Sequence, residues 1–293
     1  MRFMAVLNRK GGTLSTLDLD EFCARIRQTL TAAGHDFDCK VVDGDQIVGA
    51  LEEAAKDTEH DVVIAAGGDG TISAAAGLLM NSDKALAVLP AGTMNLFARS
   101  LQIPLDLDQA VEAFAHGHVE AVDIASANGR PFVHQYSIGM HPHAVELRDK
   151  MQFNSKLGKR WASAKAGMTT FLNPPQLRLE LVMKGKRIKA RTSSISVTNN
   201  LYGEGHLPYA ADPAGGTLGI YITRARRRRD LFMFFLNMAR GRWRRSEQVE
   251  IHECDSITLH MLSHYKRFKC AIDGELCPLE KKTVLKIHKG ATV

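Results

Sequence analysis

Apolar positions recur with two different periods in the first third of the chain. Residues 61–66 are almost all apolar and lack a helical period, which predicts a buried strand. Phe22, Ile26 and Leu30 stand four positions apart, which predicts a helix over residues 18–33. The same two patterns recur and predict strands over residues 2–8, 37–42, 61–66 and 85–89, and helices over residues 18–33, 46–55 and 71–80, followed by a short helix that ends at residue 101.

This alternation predicts a parallel sheet with helices on both faces, because crossovers between parallel strands are right-handed. From about residue 119 the pattern changes to short strand-like segments. Asn128-Gly129 is a strong hairpin signal between two of them, residues 119–127 and 132–138. Further strands are predicted over residues 177–183, 187–190, 194–198, 218–222, 248–252, 256–261 and 267–272.

These two patterns predict an α/β plus β architecture with two domains. The first is an α/β domain of residues 1–123, to which residues 281–293 are expected to return. The second is an antiparallel β domain of residues 124–280. Ligands of open parallel sheets bind at the carboxyl ends of the strands, so a ligand is expected at the loops that follow the strands of the first domain.

Composition indicates a cytoplasmic protein. Hydrophobic residues make up 45% and charged residues 24% of the 293 positions, as in soluble globular proteins. The longest uncharged apolar run, residues 231–236, is far shorter than the roughly 20 residues of a membrane span. The five cysteines include no Cys-x-x-Cys pair, so we expect them to be reduced.

The third predicted strand is followed by Gly67, Gly68, Asp69, Gly70 and Thr71, where a helix begins. A helix N-terminus offers unpaired N–H groups and the positive end of the helix dipole, and glycines let a phosphate approach them closely. Asp69 would repel phosphates unless a cation lies between them. The loop therefore predicts ATP bound with Mg²⁺, which Asp69 would help to hold.

The fourth strand ends in a similar loop, with Gly92, Thr93 and Asn95 before the next helix. Adjacent strand ends would place both loops on one rim of the sheet. Either loop alone is equally typical of a tight strand-to-helix turn. A third segment, residues 273–275, is by itself an ordinary turn.

In this order the motifs resemble the diacylglycerol kinase catalytic-domain family, which includes bacterial soluble lipid kinases and the sphingosine and ceramide kinases. Asn8, with Gly11 and Gly12, resembles a degraded form of the family's first loop. The resemblance covers nearly the whole chain. It is carried by Gly67 to Thr71, by residues 90–95 with Phe97, Ala98 and Arg99 after them, by Asp123, and by Asp273, Gly274 and Glu275.

The resemblance implies ATP-dependent phosphorylation of a lipid hydroxyl, in a cleft between an NAD kinase/diacylglycerol kinase-like α/β domain and a β-sandwich. It implies that Glu275 is the base, that Asp69 organises Mg²⁺ with ATP, and that Asp123 belongs to the catalytic set. Arg99 and Asp273 are implied to line the substrate cleft. The nucleotide-binding residues carried over are Asn8, Gly67, Gly68, Gly70, Thr71, Gly92, Thr93 and Asn95.

The chain departs from the family pattern in two places. Ser73-Ala74 stand where the family commonly has Asn-Glu. Ala214, Gly215 and Gly219 occupy positions that are acidic in some bacterial relatives, where they hold an additional structural metal. The second departure argues against that metal here.

The stretch Arg224–Arg245 contains nine arginines and one aspartate around an aromatic cluster. This pattern fits a short core helix with solvated arginines at its ends, and it also fits peripheral contact with the anionic inner face of a membrane. No nucleic-acid motif accompanies the arginines, so we do not expect nucleic acid as a partner.

The sequence is also compatible with two rival functions. An NAD kinase has a related glycine-aspartate loop and a similar two-domain plan. A catalytically silent lipid- or nucleotide-binding homologue would account for the altered first loop and the altered acidic segment. The sequence does not distinguish among diacylglycerol, a sphingoid base, ceramide and a phosphatidylglycerol-like alcohol as substrate, and a homo-oligomer is compatible with it.

Overall fold

The computed structural model describes residues 1–80, 82–149, 165, 169, 174–205, 207–224, 228–241, 247–262 and 264–292. The chain forms two compact units. The first unit comprises Met1–Ile124, Asp212–Ala214 and His288–Val293. The second comprises Ala125–Ala211 and Gly215–Ile287.

The first unit is built on a parallel sheet with the strand order β2-β1-β3-β4. Every residue of β3 and β4 is buried, as expected for strands covered on both faces. The predicted parallel α/β fold is thereby confirmed. Its strands are β1 (Arg2–Asn8), β2 (Asp36–Val42), β3 (Val62–Gly67) and β4 (Ala85–Pro90), and its helices are α1 (Leu19–Ala32), α2 (Ile47–Lys56), α3 (Asp69–Leu79), α4 (Leu96–Ser100) and α5 (Leu107–His116).

Helix α1 shows how local sequence determines this architecture. The Asp18 carboxylate accepts hydrogen bonds from two backbone N–H groups of the first turn, which caps the helix. The apolar face carried by Phe22, Ile26 and Leu30 is at most 1% exposed and packs into the core of this unit. Burying each of these side chains contributes about 1.5–3 kcal/mol.

One expectation about this region is wrong. Cys23 of α1 and Cys39 of β2 form a disulfide. The two residues are 16 positions apart, and helix and strand pack side by side, with the Cα atoms 6.5 Å apart. The spacing of the cysteines along the chain did not indicate this disulfide. Cys254, Cys270 and Cys277 are free thiols, as expected.

The second unit contains two antiparallel sheets, with strand orders β12-β11-β10-β7-β14-β15 and β6-β5-β16-β13-β8-β9. Ile138 and Val197 of one sheet share a buried cluster with Leu259 and Leu285 of the other, so the predicted β-sandwich is confirmed. The strands are β5 (Ala121–Ala127), β6 (Arg130–Phe132), β7 (Gln135–Gly139), β8 (Leu177–Met183), β9 (Lys186–Thr192), β10 (Ser194–Asn199), β11 (Leu218–Thr223), β12 (Val249–Cys254), β13 (Ser256–Met261), β14 (Lys269–Ile272), β15 (Glu275–Pro278) and β16 (Lys282–Thr292).

Two helices of eight or more residues are described here: α6 (Met140–Asp149) and α7 (Arg228–Ala239). Strands β5 and β16 each run from one unit into the other. Among the described helices, none combines the length and the apolar character needed to cross a bilayer.

The Asn128-Gly129 hairpin is confirmed, with φ angles of 47° and 84° that suit a type I′ turn. The continuous strand predicted over residues 132–138 is wrong. β6 ends at Phe132, and the chain enters the other sheet as β7 at Gln135. The cause is a carboxylate that binds the backbone between the two strands, as described below.

Candidate functional site

The loops after β3 and β4 meet backbone to backbone. The two strands are paired with Gly67 opposite Pro90. A Cβ atom on Gly92 would lie only 2.6 Å from the Gly68 Cα atom, and one on Gly67 would lie 2.5 Å from the Thr71 hydroxyl oxygen. Glycine is therefore required at 92 for the two loops to pack against each other, and at 67 for the first loop to accommodate Thr71. The predicted common rim is confirmed.

The loop after β1 reaches the same place. Gly12 has a φ of 39°, and a Cβ atom there would lie 1.9 Å from the Ala91 carbonyl oxygen. The Thr13 N–H group donates a 2.9 Å hydrogen bond to that carbonyl. The Asn8 side chain accepts a 3.0 Å hydrogen bond from the Lys10 N–H group, so it orders its own loop. Three strand ends thus contribute to one glycine-rich surface.

Gly70 differs from these packing glycines. It is exposed, has helical backbone as the second residue of α3, and a Cβ atom there would meet nothing within 4 Å. The fold itself therefore does not require glycine at this position. The N–H groups of Thr71 and Ile72 donate to the Gly68 carbonyl, so the donors offered to an anion would be those of the preceding residues.

The Asp69 carboxylate ties the two loops together. Its Oδ1 atom accepts a 2.7 Å hydrogen bond from the Leu96 N–H group at the start of α4. This hydrogen bond gives the carboxylate a structural role in a loop where its charge would otherwise repel phosphates. It engages one carboxylate oxygen, and the second oxygen is a ligand type that Mg²⁺ prefers, so the residue fits a cation.

The side chains of Asn95 and Arg99 order the second loop through hydrogen bonds to its backbone. Asn95 has a φ of 50°, and its side chain accepts from the Gly92 N–H group at 2.9 Å and donates to the Pro90 and Gly92 carbonyls at 3.1 Å. The Arg99 Nε atom donates to the Met94 carbonyl at 2.9 Å. The structure thus gives both residues a loop-ordering role, whereas Thr93 is exposed on the same loop.

Asp123 is only 2% exposed, in the part of β5 that belongs to the first unit. Its N–H group donates to the Pro213 carbonyl at 2.9 Å, and its carboxylate accepts from the Gly290 N–H group at 3.4 Å. These contacts join three distant segments of the chain. Asp123 therefore helps to assemble the first unit.

In the second unit, Asp273 and Gly274 form the turn between β14 and β15, with φ angles of 46° and 85°. The Asp273 carboxylate accepts three backbone hydrogen bonds, from Val133 and His134 at 2.9 Å and from Gln135 at 2.8 Å. These bonds replace strand pairing at residues 133–134. They explain why the predicted strand breaks there.

Glu275, the residue carried over as the base, is the first residue of β15, and its side chain is 70% exposed. One of its carboxylate oxygens lies 2.5 Å from Nη2 of Arg130. The other terminal nitrogen of Arg130 lies 2.9 Å from the Cys277 sulfur. The Glu275 carboxylate is thus accessible to solvent and paired with the Arg130 guanidinium group.

A buried polar stack in the second unit had no signal in the sequence patterns. The Tyr202 ring stacks between His134 and Tyr221, with centroid distances of 5.2 and 5.3 Å. Its hydroxyl lies 3.0 Å from His134 Nε2 and donates to the Gln135 side chain at 3.2 Å. Burial raises the pKa of Tyr202 well above its ordinary value of 10.0, so this hydroxyl stays protonated.

In the segment that departs from the family's acidic pattern, Gly219 is closely packed. A Cβ atom on Gly219 would lie 2.6 Å from the Thr198 hydroxyl and 3.0 Å from the Tyr221 ring, so any larger side chain here would require these neighbours to move. Within the described residues, no cluster of three or more His, Cys, Asp or Glu side chains could hold a metal ion.

Comparison with known families identifies both halves of the chain. The model of the diacylglycerol kinase catalytic domain matches residues 2–127. The model of the YegS C-terminal NAD kinase beta sandwich-like domain matches residues 135–285.

Individual relatives match over shorter stretches. A diacylglycerol kinase of Staphylococcus saprophyticus subsp. saprophyticus is 38% identical over 93 residues, 30% of this chain and 30% of its own length. One of Staphylococcus aureus is 41% identical over 83 residues, 28% of this chain and 26% of its own length. This chain thus matches less than a third of the length of either relative.

Solved structures are similar over nearly the full chain. A diacylglycerol kinase of Bacillus anthracis str. Sterne matches with a TM-score of 0.70 at 18% identity, over 99% of this chain and 94% of that one. A second chain from that organism matches with a TM-score of 0.78 at 20% identity, over 99% and 93% of the two chains. At these identities the likeness shows a common fold.

Proposed function

The chain belongs to the diacylglycerol kinase catalytic-domain family, and from that premise we propose that it transfers the γ-phosphoryl group of ATP to the hydroxyl of a membrane lipid. The candidate acceptors are diacylglycerol, a sphingoid base, ceramide and a phosphatidylglycerol-like alcohol, each of which has a hydroxyl near the membrane interface. The observation that carries the proposal is the surface formed by the loops after β1, β3 and β4, in which Gly70 keeps open a space that the fold itself leaves unfilled.

The first unit would bind the phosphates of the nucleotide. Backbone N–H groups that precede Thr71 at the start of α3 would donate to the phosphates, and the helix dipole would favour the negative charge. Asp69 holds α4 against the loop through Leu96 and keeps a carboxylate oxygen at the rim. Mg²⁺ bound there with ATP would neutralise charge on the phosphates.

Glu275 would act as the general base. The lipid hydroxyl oxygen forms a bond to the γ-phosphorus, the bond to the β–γ bridging oxygen breaks, ADP leaves, and the hydroxyl proton passes to the Glu275 carboxylate. Because phosphoryl transfer has a loose transition state, catalysis rests mainly on positioning and charge neutralisation, and a carboxylate is base enough. The exposure of the Glu275 side chain, at 70%, supports access for a substrate.

Arg130 would assist at the same point. A base within hydrogen-bond reach of the attacking hydroxyl lies close to the transferred phosphoryl group, and Arg130 lies 2.5 Å from that base. Its positive charge would offset negative charge that develops on the phosphoryl oxygens. Arg130→Gln should therefore lower kcat more than it raises the KM for ATP.

The test is incubation of the purified chain with radiolabelled ATP, Mg²⁺ and a panel of lipids, followed by thin-layer separation of the products. A labelled lipid that disappears with Glu275→Gln supports the proposal. Label that appears on NAD in a parallel reaction would identify an NAD kinase. ATP binding without any labelled product across the panel would identify a silent homologue.

We place the proposed lipid kinase activity in the cytoplasm, at the inner face of the membrane.

A further inference from the structure

Helix α7 presents an apolar strip to solvent. Phe232 is 59% exposed and Met233 is 43% exposed. Leu236, partly buried, follows at helical spacing and lies on the same side. Arg229 and Arg240 are both exposed and continue this side toward the two ends of the helix. We call these five residues the α7 face.

The strip is unusual among the exposed apolar residues that the structure describes. The other large exposed ones are spaced apart along the chain, as is normal on a protein surface. Phe232 and Met233 are the pair that are direct neighbours, and Phe232 is the most exposed of the set. The others are Met1, Val48, Met94, Leu105, Val119 and Leu262.

The positive charge around the apolar strip indicates a negatively charged partner. The segment 224–245 carries nine arginines and one aspartate, whereas the rest of the chain is close to neutral. Arg229, with 80% of its side chain exposed, has a weak contact of 3.4 Å to its own neighbour Asp230. Residues 225–227 and 242–246 lie outside the described residues, so Arg226, Arg227, Arg242, Arg244 and Arg245 contribute to this argument only through their charge in the sequence.

We propose that the α7 face docks the protein on a bilayer rich in anionic lipid. Phe232, Met233 and Leu236 would enter the region between headgroups and acyl chains, while the arginines at the two ends would stay level with the phosphates. The methionine and leucine favour a bilayer over nucleic acid, which offers flat bases for stacking but no apolar interior. The proposal stands apart from the kinase activity, because membrane binding is measured without turnover.

The experiment is sedimentation of the full chain with vesicles of equimolar phosphatidylglycerol and phosphatidylcholine, and with vesicles of phosphatidylcholine alone. The wild type should bind the anionic vesicles and lose binding as salt is raised. Phe232→Ser should weaken binding by roughly tenfold, because an exposed apolar anchor is lost. Arg229→Gln should weaken it by roughly fivefold on anionic vesicles alone.

Leu262→Ser is the matched control, since Leu262 is 55% exposed and lies outside the α7 face. It should bind like the wild type, and all variants should keep the thermal midpoint of the wild type because the replaced side chains are exposed. The proposal is overturned if the wild type ignores anionic vesicles, or if Phe232→Ser and Leu262→Ser behave alike. Vesicle binding that is absent while Phe232→Ser abolishes binding to single-stranded RNA would overturn it in favour of nucleic acid.

Discussion

Replacing Gly70 by alanine should change the stability of the fold and the affinity for nucleotide in opposite directions. A methyl group at this position meets nothing within 4 Å, and the backbone there is helical. Alanine is a better helix former than glycine, by about 0.5–1 kcal/mol in a helix interior, and we take about 0.5 kcal/mol for this first turn. The thermal midpoint should therefore rise by about 1–2 °C.

The same methyl group should interfere with nucleotide binding. It would occupy the space beside the α3 N-terminus where a phosphate oxygen approaches the backbone. Forcing one methyl group into a filled contact costs about 1–3 kcal/mol, which corresponds to roughly 5- to 150-fold weaker binding. Thermal unfolding without ligand and calorimetric titration with Mg²⁺ and ATP measure the two effects on one preparation.

Two other glycines of the first unit serve as controls. Gly92→Ala should lose both stability and nucleotide affinity, because its methyl group would lie 2.6 Å from the Gly68 Cα atom. Gly34→Ala should lose about 1 kcal/mol of stability and no affinity, because its φ is 82° and the space around it is open. A Gly70→Ala variant that binds ATP as tightly as the wild type would refute the placement of phosphates at this loop.

Three further predictions follow from contacts already described or from His60, which lies in the connection between α2 and β3. Glu275→Gln should abolish lipid phosphorylation while ATP still binds, and near-normal turnover would remove Glu275 from the mechanism. Asp273→Asn should cost about 2 kcal/mol in urea unfolding, because its amide would face the Val133 N–H group that the carboxylate binds at 2.9 Å; an unchanged midpoint would contradict this. Burial lowers the pKa of His60, but hydrogen bonds to Asp57 and Asp38 outweigh it and raise the pKa above 6.5. Protonated His60 therefore stabilises the fold at low pH, and this contribution should be lost as the pH rises through the raised pKa, a dependence that His60→Gln should flatten.

The fold followed from the sequence wherever the determining signal was local. The parallel sheet was predictable because each strand and helix carries its own period, and the Asn128-Gly129 turn because its φ angles demand such residues. The break between β6 and β7 was not predictable. It depends on the Asp273 carboxylate, which binds Val133 from 140 positions away.

The candidate site was predictable as a set of loops but not in its internal division of labour. Gly67 and Gly70 are equivalent in the sequence pattern, yet a Cβ atom on Gly67 would clash with the Thr71 side chain whereas one on Gly70 would meet nothing within 4 Å. In the sequence, Asp69 had only the predicted role of a metal ligand. Its carboxylate also accepts a hydrogen bond from the Leu96 N–H group, and this bond depends on how the two loops meet in space. The disulfide between Cys23 and Cys39 likewise depends on the packing of α1 against β2.

The bonds of Asp123 to Pro213 and Gly290 have a consequence for the order of events during synthesis. The first unit carries the glycine loops in its N-terminal part, but it also contains Asp212–Ala214 and His288–Val293. A ribosome releases those segments long after Ile124. Domains that are continuous in sequence can fold as they emerge, whereas this unit must wait for the second one to be translated. Chains stalled before residue 288 should therefore hold the loops on an unfinished scaffold that is more open to proteases than the complete protein.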